Sequence, residues 1–253
     1  MHATRPSRGR TTVDCLVTGG TGLVGNTVIR MLLESGQRVR ALIRGRSGDR
    51  EFGDLDVERA YGDVTDPEAV RRAVAGARVV IHSAAIVHVG WKLLADMRRV
   101  NVEGTRLVAE TARREGARLI HVSSVNALGL TGDGTPADEE TPFGNTVECP
   151  YVVTKREAER AVLDEVDRGL DAVIINPVFM LGPWDWKPSS GRMLLRWRRA
   201  AACWHRRDHS ISVMPATWPR ESLRPSRPAA PVAATFSAGT TCDSSMPGRC
   251  SRK

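Results

Sequence analysis

Apolar residues along the chain fall into short runs set between amphipathic stretches. Val13–Val17 carries Val13, Leu16 and Val17 and reads as a buried strand. Asn26–Ser35 repeats apolar residues at helical spacing, with Val28, Ile29, Met31, Leu32 and Leu33. The alternation continues. Arg38–Ile43, Val57–Tyr61, Arg78–His82, Ala117–Val122 and Asp171–Asn176 read as further strands. Pro67–Ala75, Trp91–Glu115 and Tyr151–Arg168 read as helices, the first with a proline in its opening turn. Strands that alternate with helices predict an α/β fold built on a doubly wound parallel sheet.

This pattern ends near Leu195. Residues 196–253 hold six of the 14 prolines and three of the five cysteines, and no helix or strand period survives there. The stretch is expected to be unstructured, although its three tryptophans are unusual for such a tail. Charge separates the same two parts. Of 37 Lys+Arg and 29 Asp+Glu, residues 196–253 hold 11 and 3, which leaves 26 and 26 for residues 1–195. The net charge of +8 therefore belongs to the tail. Nucleic acid is not an expected partner of the patterned domain. No run reaches the ~18 apolar residues of a membrane span. Met1–Thr12 is basic and polar, is expected to be flexible, and lacks the apolar centre of a signal peptide. An odd number of cysteines without paired spacing fits a reducing, cytoplasmic setting.

The first strand runs directly into Thr18-Gly19-Gly20-Thr21-Gly22-Leu23-Val24-Gly25, and a helix follows. A glycine-rich turn between strand and helix lets backbone N–H groups approach a pyrophosphate, and the helix N-terminus adds partial positive charge. The spacing is GxxGxxG, not GxGxxG, and glycine turns also occur as plain punctuation. The strand before and the helix after supply the context that phosphate binding requires.

A second cluster follows the fifth strand. Tyr151-Val152-Val153-Thr154-Lys155 places a phenol and an ammonium four residues apart on one helix face. A neighbouring ammonium favours the phenolate and should lower the phenol pKa from ~10. The pair could then move a proton to or from a substrate oxygen, and Ser124 could hydrogen-bond the same oxygen. An isolated match of this kind is more often a surface pair. Its position after five strands of a nucleotide-binding pattern favours catalysis.

With these motifs in hand, the chain resembles the extended short-chain dehydrogenases/reductases of the NAD-dependent epimerase/dehydratase type. It is most similar to the dihydroflavonol-4-reductase and 3β-hydroxysteroid dehydrogenase-like branch. TGGTGLVG, Gly62-Asp63-Val64-Thr65-Asp66, Val80-Ile81-His82-Ser83-Ala84-Ala85, Asn101-Val102-Glu103-Gly104-Thr105, Ser123-Ser124, YVVTK and Asn176-Pro177 occur in the family's order, over residues 13–195. The resemblance implies a Rossmann-type dinucleotide-binding domain over 13–182, the start of a substrate region over 183–195, and a truncated remainder of that region. It implies that Gly19, Thr21, Gly22, Leu23, Val24 and Gly25 line the pyrophosphate. Asp63 and Val64 would meet the adenine, and Ala84, Ala85 and Pro177 would line the cofactor cleft. Ser124, Tyr151 and Lys155 would act on a small-molecule alcohol or carbonyl, with Asn101 supporting them and Lys155 also holding the nicotinamide ribose. Without the resemblance, Asn101 and Asp63 read as ordinary cap or turn residues. A homodimer is compatible with the family.

Cofactor choice can be argued physically. The second strand ends Ala41-Leu42-Ile43-Arg44-Gly45-Arg46, without the acid that usually binds the ribose 2′-OH of NAD. Arg44 and Arg46 could pair with a 2′-phosphate, so NADP(H) is expected over NAD(H). The plainer reading is a solvated basic loop. Trp184 and Trp186, after the sixth strand, either face substrate or pack their own loop. Cys203, His205 and His209 lie in an unpatterned basic stretch, and no metal site is expected from them.

The tail carries one more signal. Back-translated and read from each codon's third base, Pro215–Glu221 can spell Arg-Asp-Val-Ala-Ala-Gly, and Ala233–Cys242 can spell Arg-Tyr-Val-Leu-Gly-Gly-x-Asn-Leu. Both strings resemble segments of the family's C-terminal half, so the tail reads as a shifted frame. Few contacts from this tail to the sheet are expected. A tail that completed the sheet, with Trp204 and Trp218 buried, would contradict the shift.

Overall fold

The computed structural model describes residues 13–187, apart from 46–49, 54 and several positions within 132–147, together with the backbone of 234–236. Its strands are β1 (Val13–Thr18), β2 (Val39–Ile43), β3 (Glu58–Tyr61), β4 (Ala77–His82), β5 (Arg118–Val122), β6 (Ala172–Asn176) and β7 (Ala234–Phe236). The helices are α1 (Leu23–Glu34), α2 (Pro67–Val74), α3 (Leu94–Met97), α4 (Gly104–Glu115) and α5 (Pro150–Val166). The sheet order is β3-β2-β1-β4-β5-β6-β7, and every pairing is parallel. The chain switches direction across the sheet between β1 and β4, which opens a crevice at the carboxyl ends of those strands.

Alternation along each strand explains why both faces are covered. Leu16, Val80, Leu119 and Ile174 point to one face and pack with Val70 of α2, Val108 of α4 and Val162 of α5. Val17, Ile81, Ile120 and Ile175 point to the other and pack with Val28, Ile29 and Leu32 of α1 and with Phe52. Strands buried on both faces are near-continuous apolar runs, as β1 and β4 are.

Three expectations change. Helix α1 starts at Leu23, three residues earlier than its apolar period, because extended Gly22 caps it and accepts from the Asn26 N–H at 2.9 Å. The long helical stretch from Trp91 is four pieces: a 3₁₀ turn (Trp91–Leu93), α3, a π-helical segment (Arg98–Glu103) and α4. The wide π segment, a form found often at functional sites, carries Asn101 in its buried interior. The third correction concerns the tail. β7 joins the outer edge of β6 in parallel, with Ile174 opposite Ala234, Ile175 opposite Thr235 and Asn176 opposite Phe236. An edge strand offers unpaired N–H and C=O groups, and Thr and Phe favour extended backbone. A sheet strand here departs from the few contacts expected of the tail, and it bears on the sheet alone, not on the reading frame. Trp204 and Trp218, the shifted reading of 215–221, Cys203, His205, His209, Arg46 and Met1–Thr12 lie outside the described residues.

Candidate active site

The end of the candidate site expected to hold a cofactor is made by backbone meeting backbone. Gly19 ends β1 with φ +70°, and a Cβ there would lie 2.6 Å from the Ala84 nitrogen. A Cβ on Gly25 would lie 2.5 Å from the Gly19 oxygen. The turn therefore admits no side chain at either position. Ser83 donates its N–H and hydroxyl to the Thr18 carbonyl at 3.3 and 2.7 Å, which ties the end of β4 to the end of β1. Thr21, Gly22, Leu23 and Val24 are half-buried on this turn, as are Ala84 and Ala85 opposite it. Buried Asn26 donates to the carbonyls of Gly20 and Glu51 at 3.3 and 3.0 Å and so braces the turn from beneath. These features fit a pyrophosphate.

Asp63 follows β3 and accepts from the Thr65 N–H at 2.9 Å and the Thr65 hydroxyl at 2.8 Å. Burial alone would raise its carboxyl. The Thr65 bonds, with the nearby Arg44 and Arg99 guanidiniums, outweigh burial and hold the carboxyl below its usual range. Arg44 is exposed at the end of β2, 3.9 Å from Asp63. Val64 is buried beside Asp63, and Pro177 is half-buried after β6, where its carbonyl accepts from the Val125 N–H at 3.0 Å.

The other end gathers buried Ser124 and Lys155 with half-buried Tyr151. Ser124 follows β5 and caps a 3₁₀ turn, its hydroxyl accepting from the Asn126 N–H at 3.2 Å. Pro150 opens α5, so Tyr151 sits in the first turn and Lys155 one turn further on the same face. The Lys155 ammonium is 5 % exposed, donates to the Val122 carbonyl at 2.9 Å and lies 6.0 Å from the Tyr151 ring centroid. Burial pushes it down to about 8, against the opposing pull of Glu159. Tyr151 departs from expectation: burial raises its phenol, and only the adjacent Ser124 hydroxyl acts to lower it. The lowering expected from Lys155 is not seen because that ammonium is turned to the β5 carbonyl.

Asn101 accepts from the Ile86 N–H at 2.7 Å, and donates to the Ile86 carbonyl at 3.0 Å and the Thr154 hydroxyl at 3.1 Å. It thus joins the segment after β4 to the turn of α5 between Tyr151 and Lys155. Asn101 braces that turn through these three bonds. Trp184 lies against the Arg30 guanidinium of α1 at 3.6 Å and Trp186 against that of Arg50 at 4.6 Å, contacts that bear on neither of the two readings of these tryptophans.

Sequence reasoning missed the buried polar layer beneath Lys155. The rings of His82 and His121 stack with centroids 5.6 Å apart. His82 bonds the Thr18 and Thr105 hydroxyls at 2.7 and 3.0 Å, and burial pushes it down to about 3. Burial also holds His121 well below the usual imidazole range. Asn176 donates to the Ser124 carbonyl at 3.0 Å and to Glu159 at 2.7 Å. The one available signal for Glu159 was its helical phase, four residues after Lys155.

The structure thus brings the glycine turn, Asp63, Ala84, Ala85, Ser124, Tyr151, Lys155 and Pro177 to the carboxyl edge of one parallel sheet. Fold and site together define a dinucleotide-binding domain of the short-chain dehydrogenase/reductase type. The chain belongs to the NAD dependent epimerase/dehydratase family, which residues 15–220 match. That match runs past residue 195, where the motifs end. Over 182 residues the chain is 40% identical to the sterol demethylase protein B of Methylococcus capsulatus, covering 71% of this chain and 56% of that protein. It is 38% identical over 191 residues to a putative dihydroflavonol 4-reductase of Synechocystis, covering 74% and 55%. A short-chain dehydrogenase/reductase superfamily protein from Agrobacterium tumefaciens, solved with bound NAD, is 29% identical with a TM-score of 0.56, covering 64% of this chain and 48% of that one. The chain spans little more than half the length of the curated relatives it matches. Among the described residues no helix is long and apolar enough to cross a membrane.

Proposed function

We propose that this chain carries the cofactor-binding and catalytic part of an NADP(H)-dependent oxidoreductase that interconverts an alcohol and a ketone. The observation that carries this reading is Ser124, Tyr151 and Lys155 gathered beside a glycine turn that excludes side chains. When bound, the nicotinamide supplies or accepts the hydride. In the reductive direction the Tyr151 phenol gives its proton to the substrate oxygen, which Ser124 orients by a hydrogen bond. Lys155, still an ammonium at neutral pH, offsets the phenolate that remains and holds ribose hydroxyls. Arg44, exposed at the end of β2 with no acid in its place, supports NADP(H) over NAD(H). Val87, Val89 and Trp91 after β4, Leu130 and Phe143 after β5, and Phe179 after β6 are exposed at the same edge. They support an apolar carbonyl substrate, in keeping with relatives named for a sterol and a dihydroflavonol.

A sugar-nucleotide epimerase or dehydratase is the second reading, favoured by the description of the family that matches. The test is turnover by this chain and by a fusion that adds the C-terminal part of such a relative. NADPH consumption with an apolar ketone, absent in Tyr151→Phe, supports the reductase. Conversion of a sugar nucleotide without net cofactor consumption supports the epimerase, and full ketone turnover by Tyr151→Phe refutes the mechanism.

A further inference from the structure

Tyr151, Lys155 and Glu159 stand at successive i, i+4 positions on one face of α5, turned toward β5 and β6. The first two have proposed tasks. The third is a carboxylate only 8 % exposed, and an acid so buried on a helix flank needs a reason. Its Oε1 accepts from Asn176 Nδ2 at 2.7 Å, and the same amide donates to the Ser124 carbonyl at 3.0 Å. Lys155, one turn away, is buried and spends one donor on the Val122 carbonyl.

We propose that Glu159 is a positioning residue of this site, whose buried carboxylate is the counter-charge for Lys155 and, through Asn176, fixes the backbone that carries Ser124. The inference rests on the functional reading above for the task of Lys155, but its physical content stands apart from turnover. An ammonium and a carboxylate buried together offset part of each other's desolvation cost, while either alone is driven to its neutral form.

Among the described residues, Glu159 is the acid that acts on Lys155. From α5 itself Lys155 and Arg156 face it, and from the sheet Ser123 and Asn176. His82 on β4 and His121 on β5 face Lys155, and burial keeps both neutral near neutral pH. Burial raises the Glu159 carboxyl, and Ser123, Asn176, Lys155 and Arg156 act in the opposite direction. Glu159 in turn is the influence that raises Lys155 against its own burial.

The test reads Lys155 directly. The chain has four lysines, Lys92, Lys155, Lys187 and Lys253, so ¹³Cε-lysine labelling gives four signals, and Lys155→Met assigns the one of interest. The wild-type Lys155 midpoint is expected near 8. In Glu159→Gln, which keeps shape and hydrogen bonding, it should fall by about one unit or more. Glu159→Asp, which keeps the charge, should restore part of that fall. A merely structural role predicts the opposite sign, because loosening the site exposes Lys155 and returns it toward 10.5. A midpoint that stays put or rises in Glu159→Gln overturns the proposal. A second reading needs no variant: the wild-type Lys155 signal should show a minor inflection in acid, where Glu159 takes up its proton, and its absence likewise overturns the proposal. NADPH titration of the same samples keeps the two readings apart. A wild type that binds no dinucleotide counts against the proposed function, and the Lys155 titration still decides the role of Glu159.

Discussion

The two ends of the site are built from different materials. Around Gly19 and Gly25 the proposed cofactor cradle is backbone against backbone, and its shape is set by what is missing from the side chains. Around Ser124, Tyr151 and Lys155 the site rests on buried polar side chains: Asn176 bonds Glu159 and the Ser124 carbonyl, Asn101 bonds Thr154, and His82 bonds Thr18 and stacks on His121. A backbone cradle tolerates no added atoms but carries no charge that can be switched. A polar layer tolerates isosteric replacement but responds to every change of protonation. Substitutions at the first end should act through sterics and cofactor affinity, and those at the second through proton transfer and pH.

The largest effect should come from the Ser–Tyr–Lys end. Tyr151→Phe keeps the ring and removes the proton, so turnover in the fused enzyme should fall ~10²–10⁴-fold. NADPH affinity should stay within about twofold, because the phenol hydroxyl is assigned to the proton and not to the cofactor. A parallel loss of binding would erase the contrast between the two ends.

Gly19→Ala attacks the other end. The residue has φ +70°, and the new Cβ would meet the Ala84 nitrogen at 2.6 Å. Backbone must shift at the turn, at a cost of about 1–3 kcal/mol in denaturant-measured stability. Cofactor affinity should fall at least about tenfold, since the same backbone groups would line the pyrophosphate. Unchanged affinity would show that the turn is only structural.

The polar layer should also set the acid stability of the domain. Burial depresses His82 from 6.5 to about 3, so the unfolded chain binds a proton that the folded one refuses. His82 therefore destabilises the fold progressively as pH drops from 6.5 toward 3, and does so by about 2 kcal/mol at pH 5. His121 is shifted in the same direction and adds to the slope. Urea melts between pH 7 and 5 should show this decline, and His82→Gln should flatten it. A pH-independent midpoint would mean that the histidines are already charged in the fold.

The smallest effect is expected at Arg44, where an exposed ion pair with Asp63 is worth ~0–1 kcal/mol. Arg44→Asp should leave stability unchanged and narrow the preference for NADP(H) over NAD(H). Equal affinity for both cofactors in the wild type would remove the arginine argument.

What could be read in advance follows the same division. The strands and the glycine turn were legible because burial on both faces and the exclusion of Cβ atoms are written locally, in apolar runs and in glycine spacing. Tyr151 and Lys155 were legible through helical phase. The π segment at Arg98–Glu103 was not, because it answers to the packing of Asn101 against Ile86 and Thr154, which lie 15 and 53 residues away in sequence. The raised phenol of Tyr151 was misread for a related reason: spacing brings Lys155 onto the same face, but the Val122 carbonyl decides where its ammonium points. Strand β7 was missed because three residues carry too little period to be seen, and the edge of β6 supplies the partner.

The central claim is that this chain holds a dinucleotide on the Gly19–Gly25 turn, within reach of a Ser–Tyr–Lys site. Fluorescence titration of the chain with NADPH, alongside Gly25→Val and Tyr151→Phe, tests it most directly. A Cβ at Gly25 would sit 2.5 Å from the Gly19 oxygen, so saturable binding should be present in the wild type, retained in Tyr151→Phe and lost in folded Gly25→Val. No saturable binding of NADPH or NADH by the wild type, or equal binding by Gly25→Val, would contradict the account.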